Sequence, residues 1–185
     1  ERYSYAEANS RINQTAHALH GLGVRCGDVV ALCVENRPAF FFAWLGLAKL
    51  GATVAFLNTN VSGKPLAHAL TATGATRAIV GEECLANFAS TDRLAGVEQW
   101  LWPDPERPAD AAARAACTHD LAALADAAAR SDPPAEWRAG MVAEKPAVYI
   151  FTSGTTGLPK AAIISHARWL ITGDVMQLSM GIRPE

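Results

Sequence analysis

The sequence has few cysteines, and their spacing forms no metal or redox motif. Its 185 residues include four cysteines, and no two stand in the C-x-x-C spacing of zinc sites and thioredoxin-like motifs. We therefore expect reduced, buried thiols in a cytoplasmic protein. His17 and His20 lie three residues apart on a predicted helix without a third ligand nearby. We interpret them as helix-surface residues and predict no metal site.

Neither basic nor acidic residues are in large excess. The chain has 16 basic and 18 acidic residues, a net charge of −2, and this balance argues against a nucleic-acid surface. The sequence contains no internal repeat. No signal peptide is visible, because the first residues lead straight into an amphipathic segment. The sequence also starts without an initiator methionine. We therefore expect the sequence to be part of a longer protein.

One apolar run approaches the length of a membrane span. Residues 39–57 contain a single charge, Lys49, and about 20 apolar residues are enough to cross a bilayer. Gly51 separates a helical pattern from a β-branched run, so we predict a helix that ends at glycine, followed by a buried strand. Peripheral membrane contact is compatible with this interpretation. The aromatic residues of the helix, Phe40, Phe41, Phe42 and Trp44, are predicted to be core rather than the lining of an apolar tunnel.

Helical and strand patterns alternate along the chain. The predicted helices cover residues 4–22, 38–50, 65–74, 82–90, 119–130 and 166–179. The predicted strands cover residues 28–34, 53–57, 77–80, 97–102, 147–151 and 161–165, and the last two are expected to form a hairpin. The alternation predicts an α/β fold with a parallel or mixed sheet. Ligands in such folds bind outside the carboxyl ends of the strands.

Residues 86–144 differ in composition from the rest. Alanine dominates residues 109–129, which we interpret as a variable helical insertion or a partly disordered segment. Residues 131–144 contain proline and are predicted to be a linker in which Trp137 is an anchor. Outside this segment, Asn58 and Asn60 are expected to hold a turn by side-chain to backbone hydrogen bonds.

The most informative segment is residues 152–160, Thr-Ser-Gly-Thr-Thr-Gly-Leu-Pro-Lys, directly after an apolar strand. Glycines let a backbone approach a ligand closely, hydroxyls donate hydrogen bonds, and lysine supplies a compact positive charge. The segment is neither a Walker A loop nor a dinucleotide fingerprint, since G-x-x-x-x-G-K-[ST] and G-x-G-x-x-G are both absent. It predicts a phosphate-binding loop. The predicted binding residues are Thr152, Ser153, Gly154, Thr155, Thr156, Gly157 and Lys160.

This loop resembles the signature phosphate loop of the adenylate-forming (AMP-binding) enzymes. The wider string YIFTSGTTGLPKAAIISH at residues 149–166 is most similar to the fatty acid transport protein and very-long-chain acyl-CoA synthetase family. WLGLAKL at residues 44–50 and LNTNVSGKPL at residues 57–66 agree with it. Ser62 and Gly63 depart from the basic residue that this branch often has after its second asparagine. The resemblance implies a partial large N-terminal domain, with residues 1–185 as an incomplete AMP-binding domain.

The resemblance also implies a reaction. A carboxylate, such as a fatty acid, attacks the α-phosphate of ATP to give an acyl-adenylate and pyrophosphate, and CoA then displaces AMP. The hydroxyls of the loop would donate to the β- and γ-phosphates, and Lys160 would neutralise charge on the departing pyrophosphate. Mg²⁺ would bridge phosphates. The family's adenine-binding aromatic motif, ribose-binding aspartate and catalytic lysine have no counterpart before Glu185. We therefore predict no catalytic residue within this chain and no turnover by the chain alone.

Several alternatives stay open at the level of sequence. The substrate can be another carboxylate, such as an aryl, bile or sterol side-chain acid. The parent can be a non-catalytic lipid-uptake protein that retains the loop, or the chain can be a complete phosphate- or nucleotide-binding module. Ser165 and His166 either end a strand and cap a helix, or His166 borders the acyl or adenylate pocket.

Overall fold

A seven-stranded sheet organises the chain. The computed structural model describes residues 2–92, 94, 96–152 and 158–181. Neighbouring strands follow the order β5-β4-β3-β1-β2-β6-β7, with β1 to β6 parallel and β7 antiparallel to β6. The predicted α/β class is confirmed. The strands are β1 (Val29–Cys33), β2 (Thr53–Phe56), β3 (Arg77–Gly81), β4 (Glu98–Trp102), β5 (His119–Asp120), β6 (Pro146–Thr152) and β7 (Lys160–Ser165).

The helices begin and end at residues with local capping signals. The N-cap Ser4 accepts a hydrogen bond from the Glu7 amide (3.2 Å) and donates its own amide to the Glu7 carboxylate (2.8 Å), as the capping box predicts. Gly74 ends the third helix with φ of +68°. The helices are α1 (Tyr5–Gly21), α2 (Pro38–Lys49), α3 (Gly63–Thr73), α4 (Leu85–Ala89), α5 (Ala111–Ala115), α6 (Leu121–Asp126) and α7 (His166–Met180), with 3-10 turns at Glu82–Cys84 and Ala135–Arg138.

Apolar cores cover both faces of the sheet. Helices α1, α2 and α6 pack on one face, and α3 and α4 pack on the other. Phe42 is buried, and Phe40 and Trp44 pack against the same core. The prediction that all four aromatic residues of α2 are core is wrong for Phe41, whose exposed fraction is 49%. Successive residues on a helix point about 100° apart, so a run of three phenylalanines cannot face one core.

The four cysteines are free, but only Cys33 and Cys84 are buried as expected, since Cys26 and Cys117 are half-buried. Cys33 and Cys84 are buried and unbridged, and their hydrogen bond, together with burial, raises the pKa of the Cys33 thiol. The side chain of Asn58 accepts a hydrogen bond from the Asn60 backbone amide (2.8 Å), which confirms the predicted turn for Asn58. In the described part of the chain, no helix is both long and apolar enough to cross a membrane.

The alanine-rich segment contains less helix than the sequence predicts. Residues 119–130 were expected to form one helix, but β5 takes the first two residues and α6 ends at Asp126. The reason is tertiary: Gln14 of α1 donates to the carbonyls of Asp126 (3.2 Å) and Ala128 (3.4 Å). Asn13 donates to the carbonyl of Arg130 (2.8 Å). Polar side chains of α1 thus take the backbone groups that a continuing helix would use.

Residues 127–139 form a segment, here called the strap, that runs from α6 along α1. The ring of Trp137 stacks on His20 at 3.6 Å with an interplanar angle of 1°, and meets His17 edge-on at 5.0 Å. His17 Nε2 lies 3.1 Å from the Ser131 carbonyl. The prediction of Trp137 as an anchor is confirmed. The interpretation of the two histidines as surface residues is wrong, because both half-buried rings hold the strap.

The fold disfavours protonation of His20. Burial of the ring, with Arg25 and His17 adding positive charge nearby, lowers the pKa of His20 from its ordinary value. A histidine with a lowered folded-state pKa stabilises fully above its unfolded pKa, and that stability is lost as the pH falls towards the folded value. The fold therefore favours the neutral imidazole at this position.

Replacing Trp137 with alanine should release the strap. We expect a loss of about 1–2 kcal/mol of local stability, because both ring contacts disappear. The backbone amides of residues 127–139 should then exchange about tenfold faster in hydrogen–deuterium exchange. Trp169→Ala is the matched control, since that ring contacts Trp44 and not the strap. Unchanged exchange in the Trp137 variant would show that the hydrogen bonds from α1 hold the strap without the ring contacts.

Candidate functional site

The predicted phosphate loop joins β6 to β7 at the carboxyl end of β6. The two strands form the predicted antiparallel hairpin, in which Thr152 pairs with Lys160 and Ile150 with Ala162. The Thr152 hydroxyl donates to the Lys160 carbonyl at 3.4 Å, across the mouth of the loop. Both residues are exposed. The structure therefore brings the two ends of the predicted site together. Ser153, Gly154, Thr155, Thr156 and Gly157 lie outside the described residues.

The strand that leads into the loop is fixed along its length. It pairs with β2 in parallel, with Val148 opposite Val54, and Val148 is buried. Thr53 donates its hydroxyl to the carbonyl of Pro146 at 2.8 Å. Because β6 continues the buried parallel sheet, its carboxyl end lies at the edge where α/β folds bind ligands.

The start of α7 lies at the opposite end of the hairpin from the loop. Ser165 pairs with Pro146, at the amino end of β6, and its hydroxyl accepts a hydrogen bond from the Arg168 amide (3.3 Å). The amide of His166 donates to the Lys145 carbonyl (3.1 Å). Strands rise about 3.3 Å per residue, so roughly 20 Å of strand separates His166 from the loop. The geometry favours the helix-cap interpretation of Ser165 and His166 over a pocket role.

A buried charge cluster at the carboxyl ends of β1, β3 and β4 was missed by the sequence analysis. The carboxylate of Glu82, with 0% of its side chain exposed, accepts hydrogen bonds from the amides of Asp104 and Ala109, both at 2.8 Å. It also pairs with Arg114. The first acidic residue after a strand of apolar and small residues is the sequence signal that could have indicated it. Its partners lie 22 to 32 residues away.

The protonation of Glu82 follows from these contacts. Burial by itself raises the pKa of the carboxyl. The hydrogen bonds from the two amides and the adjacent Arg114 outweigh burial, so the pKa of Glu82 lies below its ordinary value. Glu82 is therefore ionised at neutral pH and holds the segment that follows β4.

A cleft of about 720 Å³ lies next to this cluster, between α1, α2, α6 and the segment after β4. Its walls combine Phe42 and Trp102 with three arginines. Each arginine already has a carboxylate partner: Arg11 pairs with Asp126, Arg37 with Glu83, and Arg107 with Glu35 and Asp104. The cleft thus offers paired charges, in contrast to the exposed Lys160 at the loop.

A known protein family matches the chain along nearly its whole length. The sequence profile of the AMP-binding enzymes matches residues 1–183. The chain belongs to the AMP-binding enzyme family. The resemblance of residues 152–160 to the AMP-binding enzymes is therefore confirmed at the level of the family.

Relatives of this AMP-binding chain include long-chain fatty acid transport proteins. Long-chain fatty acid transport protein 2 of Rattus norvegicus is 38% identical over 190 residues, which cover 99% of this chain and 29% of the rat protein. The chain thus spans less than a third of the length of that relative.

Solved structures of the family share its fold. The inhibitor-bound N-terminal domain of FACL13 from Mycobacterium tuberculosis has a TM-score of 0.68 and 26% identity, covering 90% of this chain and 38% of that domain. The anthranilate CoA ligase AuaEII, solved with anthranoyl-AMP, has a TM-score of 0.77 and 23% identity, covering 93% and 31%. At that identity AuaEII supports the fold alone.

Proposed function

We propose that this chain is the phosphate-binding part of an ATP-dependent long- or very-long-chain fatty acyl-CoA synthetase. The observation that supports this most directly is the hairpin that brings Thr152 and Lys160 face to face at the mouth of the loop. The similarity to long-chain fatty acid transport proteins supports the substrate class. We propose a ligase activity, carboxylate to acyl-CoA, for the protein that contains this chain, and no turnover for the chain by itself.

The difficulty of the first step is negative charge. A carboxylate attacks the α-phosphorus of ATP, the bond to the β-phosphate breaks, and the electron pair leaves with pyrophosphate. Donors and cations fixed beforehand lower this barrier, because they need no reorganisation as charge develops. The ammonium of Lys160 would neutralise charge on pyrophosphate.

The other loop residues would hold the triphosphate. The hydroxyls of Thr152, Ser153, Thr155 and Thr156 would donate to the β- and γ-phosphates. Gly154 and Gly157 would let the backbone approach closely. Mg²⁺ would be held mostly by the phosphate oxygens, since it binds through substrate phosphates and few protein groups. In the second step the CoA thiolate attacks the acyl carbon and AMP leaves.

Exchange of pyrophosphate into ATP tests the first step. The full-length protein is incubated with labelled pyrophosphate, ATP, Mg²⁺ and one acid at a time, from short to very long fatty acids plus benzoate and a bile acid. We expect exchange that depends on the acid and is strongest with long chains. Mass spectrometry of the same mixtures with CoA then tests thioester formation.

The panel separates the competing functions. Exchange with benzoate or the bile acid but not with fatty acids would assign another carboxylate. A folded protein that gives no exchange with any acid, yet binds fatty acid, would support the lipid-uptake alternative and contradict the ligase.

A further inference from the structure

The sheet has a topological switch point between β1 and β3. These two strands are neighbours, and the chain leaves them in opposite directions. After β1 it turns to α2 on one face of the sheet, and after β3 it turns to α4 on the other face. In open α/β sheets, the crevice at such a point is where ligands generally bind. The loop at residues 152–160 lies elsewhere, because β2 separates β1 from β6.

The carboxylate of Glu83 fills this crevice. One oxygen accepts a hydrogen bond from the amide of Glu35, which follows β1, at 2.8 Å. The other oxygen accepts from Nη2 of Arg37, the N-cap of α2, at 3.0 Å. The side chain of Glu83 is 3% exposed and that of Arg37 is 21% exposed. A backbone amide and a guanidinium are groups that bind phosphate and carboxylate ligands.

Gly81 leaves room for this carboxylate. A Cβ at residue 81 would lie 2.3 Å from one Glu83 oxygen and 2.7 Å from the other. The backbone of Gly81 is ordinary, with φ of −63° and ψ of 144°, so any residue could adopt its conformation. The glycine is therefore explained by space for the folded-back carboxylate and not by a special turn.

Two backbone carbonyls also position the Arg37 guanidinium beside Glu83. Its two terminal nitrogens also donate to the carbonyls of Trp102 and Pro103, both at 3.2 Å. Trp102 is the last residue of β4 and Pro103 follows it, so the guanidinium is fixed between the end of β4 and Glu83. The neighbouring Glu82 has its own partners, Arg114 and two amides. The Arg37 guanidinium therefore pairs with the Glu83 carboxylate, while Glu82 pairs with Arg114.

We propose that the switch-point crevice is an anion-binding site that the chain fills with its own Glu83 carboxylate. The side chain stands where the phosphate or carboxylate of a small ligand would bind. The inference concerns a second site and does not rest on the proposed reaction.

Chemical rescue tests this site. In the full-length protein, Glu83→Ala removes the carboxylate and leaves Arg37 and the Glu35 amide without it. We expect the thermal midpoint to fall by about 5 °C. Sodium formate, a free carboxylate of the right size, should restore part of this loss, rising with the logarithm of its concentration once the site fills. Sodium chloride at equal ionic strength should restore less.

Two further variants complete the test. Glu106→Ala removes an exposed carboxylate of the same charge and should change neither the midpoint nor the response to formate. Glu83→Gln keeps an acceptor for the Glu35 amide and fills the space, so we expect a smaller loss and no rescue by formate. The proposal is overturned if formate helps Glu83→Ala no more than chloride does. It is equally overturned if Glu83→Gln shows the stability of the parent when Glu83→Ala does not fold.

Discussion

Replacing Lys160 with alanine should lower carboxylate-dependent ATP–pyrophosphate exchange by about 100-fold in the full-length protein. Removing one preorganised donor to a developing negative charge typically costs two to three orders of magnitude in rate. Lys160 is exposed at the first position of β7, opposite Thr152 at the end of β6. Its ammonium is therefore available to a phosphate, and the strand pairing fixes its backbone. Stability should not change, since no buried contact is lost.

Lys145→Ala provides the matched control for this variant. Lys145 is also exposed and lies just before β6, at the opposite end of the hairpin from the loop. The change removes the same charge, while the backbone carbonyl of residue 145 still accepts the amide of His166. We expect exchange within about twofold of the parent. Equal losses in the two lysine variants would mean that the overall positive charge, and not the position of Lys160, supports exchange. Lys160 would then be removed from the site.

Glu82→Ala should destabilise the protein by about 3–5 kcal/mol. A buried amide that is left without an acceptor costs about 1–3 kcal/mol, and two amides lose their acceptor in this variant. Here Arg114 loses its carboxylate, and the amides of Asp104 and Ala109 lose their acceptor. The segment between β4 and β5 should therefore detach first. Urea unfolding measures the loss, and hydrogen exchange of residues 103–114 shows where it begins.

An exposed glutamate gives the comparison for Glu82. Glu144→Ala removes the same charge from an exposed position and should change stability by less than about 0.5 kcal/mol. If Glu82→Ala costs no more than Glu144→Ala, the buried contacts do not stabilise the fold.

The acid stability of the protein should depend on the same residue. The pKa of Glu82 is lower in the folded protein than its ordinary value of 4.5. A carboxyl with a depressed folded pKa stabilises fully above its unfolded pKa, and this stability is lost as the pH falls through the folded value. The difference in stability between the parent and Glu82→Gln should therefore shrink as the pH falls below 4.5. A difference that grows with acidification would contradict this sign.

Local signals predicted the elements well where the deciding contacts are local. The capping box at Ser4 and the glycine that ends α3 involve residues within one helical turn, and both helices formed as expected. The hairpin of β6 and β7 also followed from neighbouring segments. The alanine-rich segment after β5 was mispredicted, because its carbonyls bond to Asn13 and Gln14, more than 100 residues away in sequence.

The candidate site also combines features that the sequence indicates with features that only the structure shows. Residue types and spacing alone indicated the loop, since the chemistry of hydroxyls, glycines and a lysine is readable from nine consecutive residues. The hairpin pairing of its ends, Thr152 with Lys160, is seen in the structure. The roles of the seven predicted loop residues stay predictions. The domain boundary and the variable character of residues 86–144 also stay predictions.

The sequence by itself determined the α/β class, most helix boundaries and membership of the AMP-binding family, and it predicts the phosphate loop. Periodicity, caps and motifs act over a few residues, so they can be recognised without the fold. The tertiary structure alone decided the strand order, the strap on His17 and His20, and the burial of Glu82 and Glu83. Those features depend on groups that are distant in the chain, such as Arg37 and Glu83, 46 residues apart. A buried charge is stable only beside its partner, and only folding brings the two together.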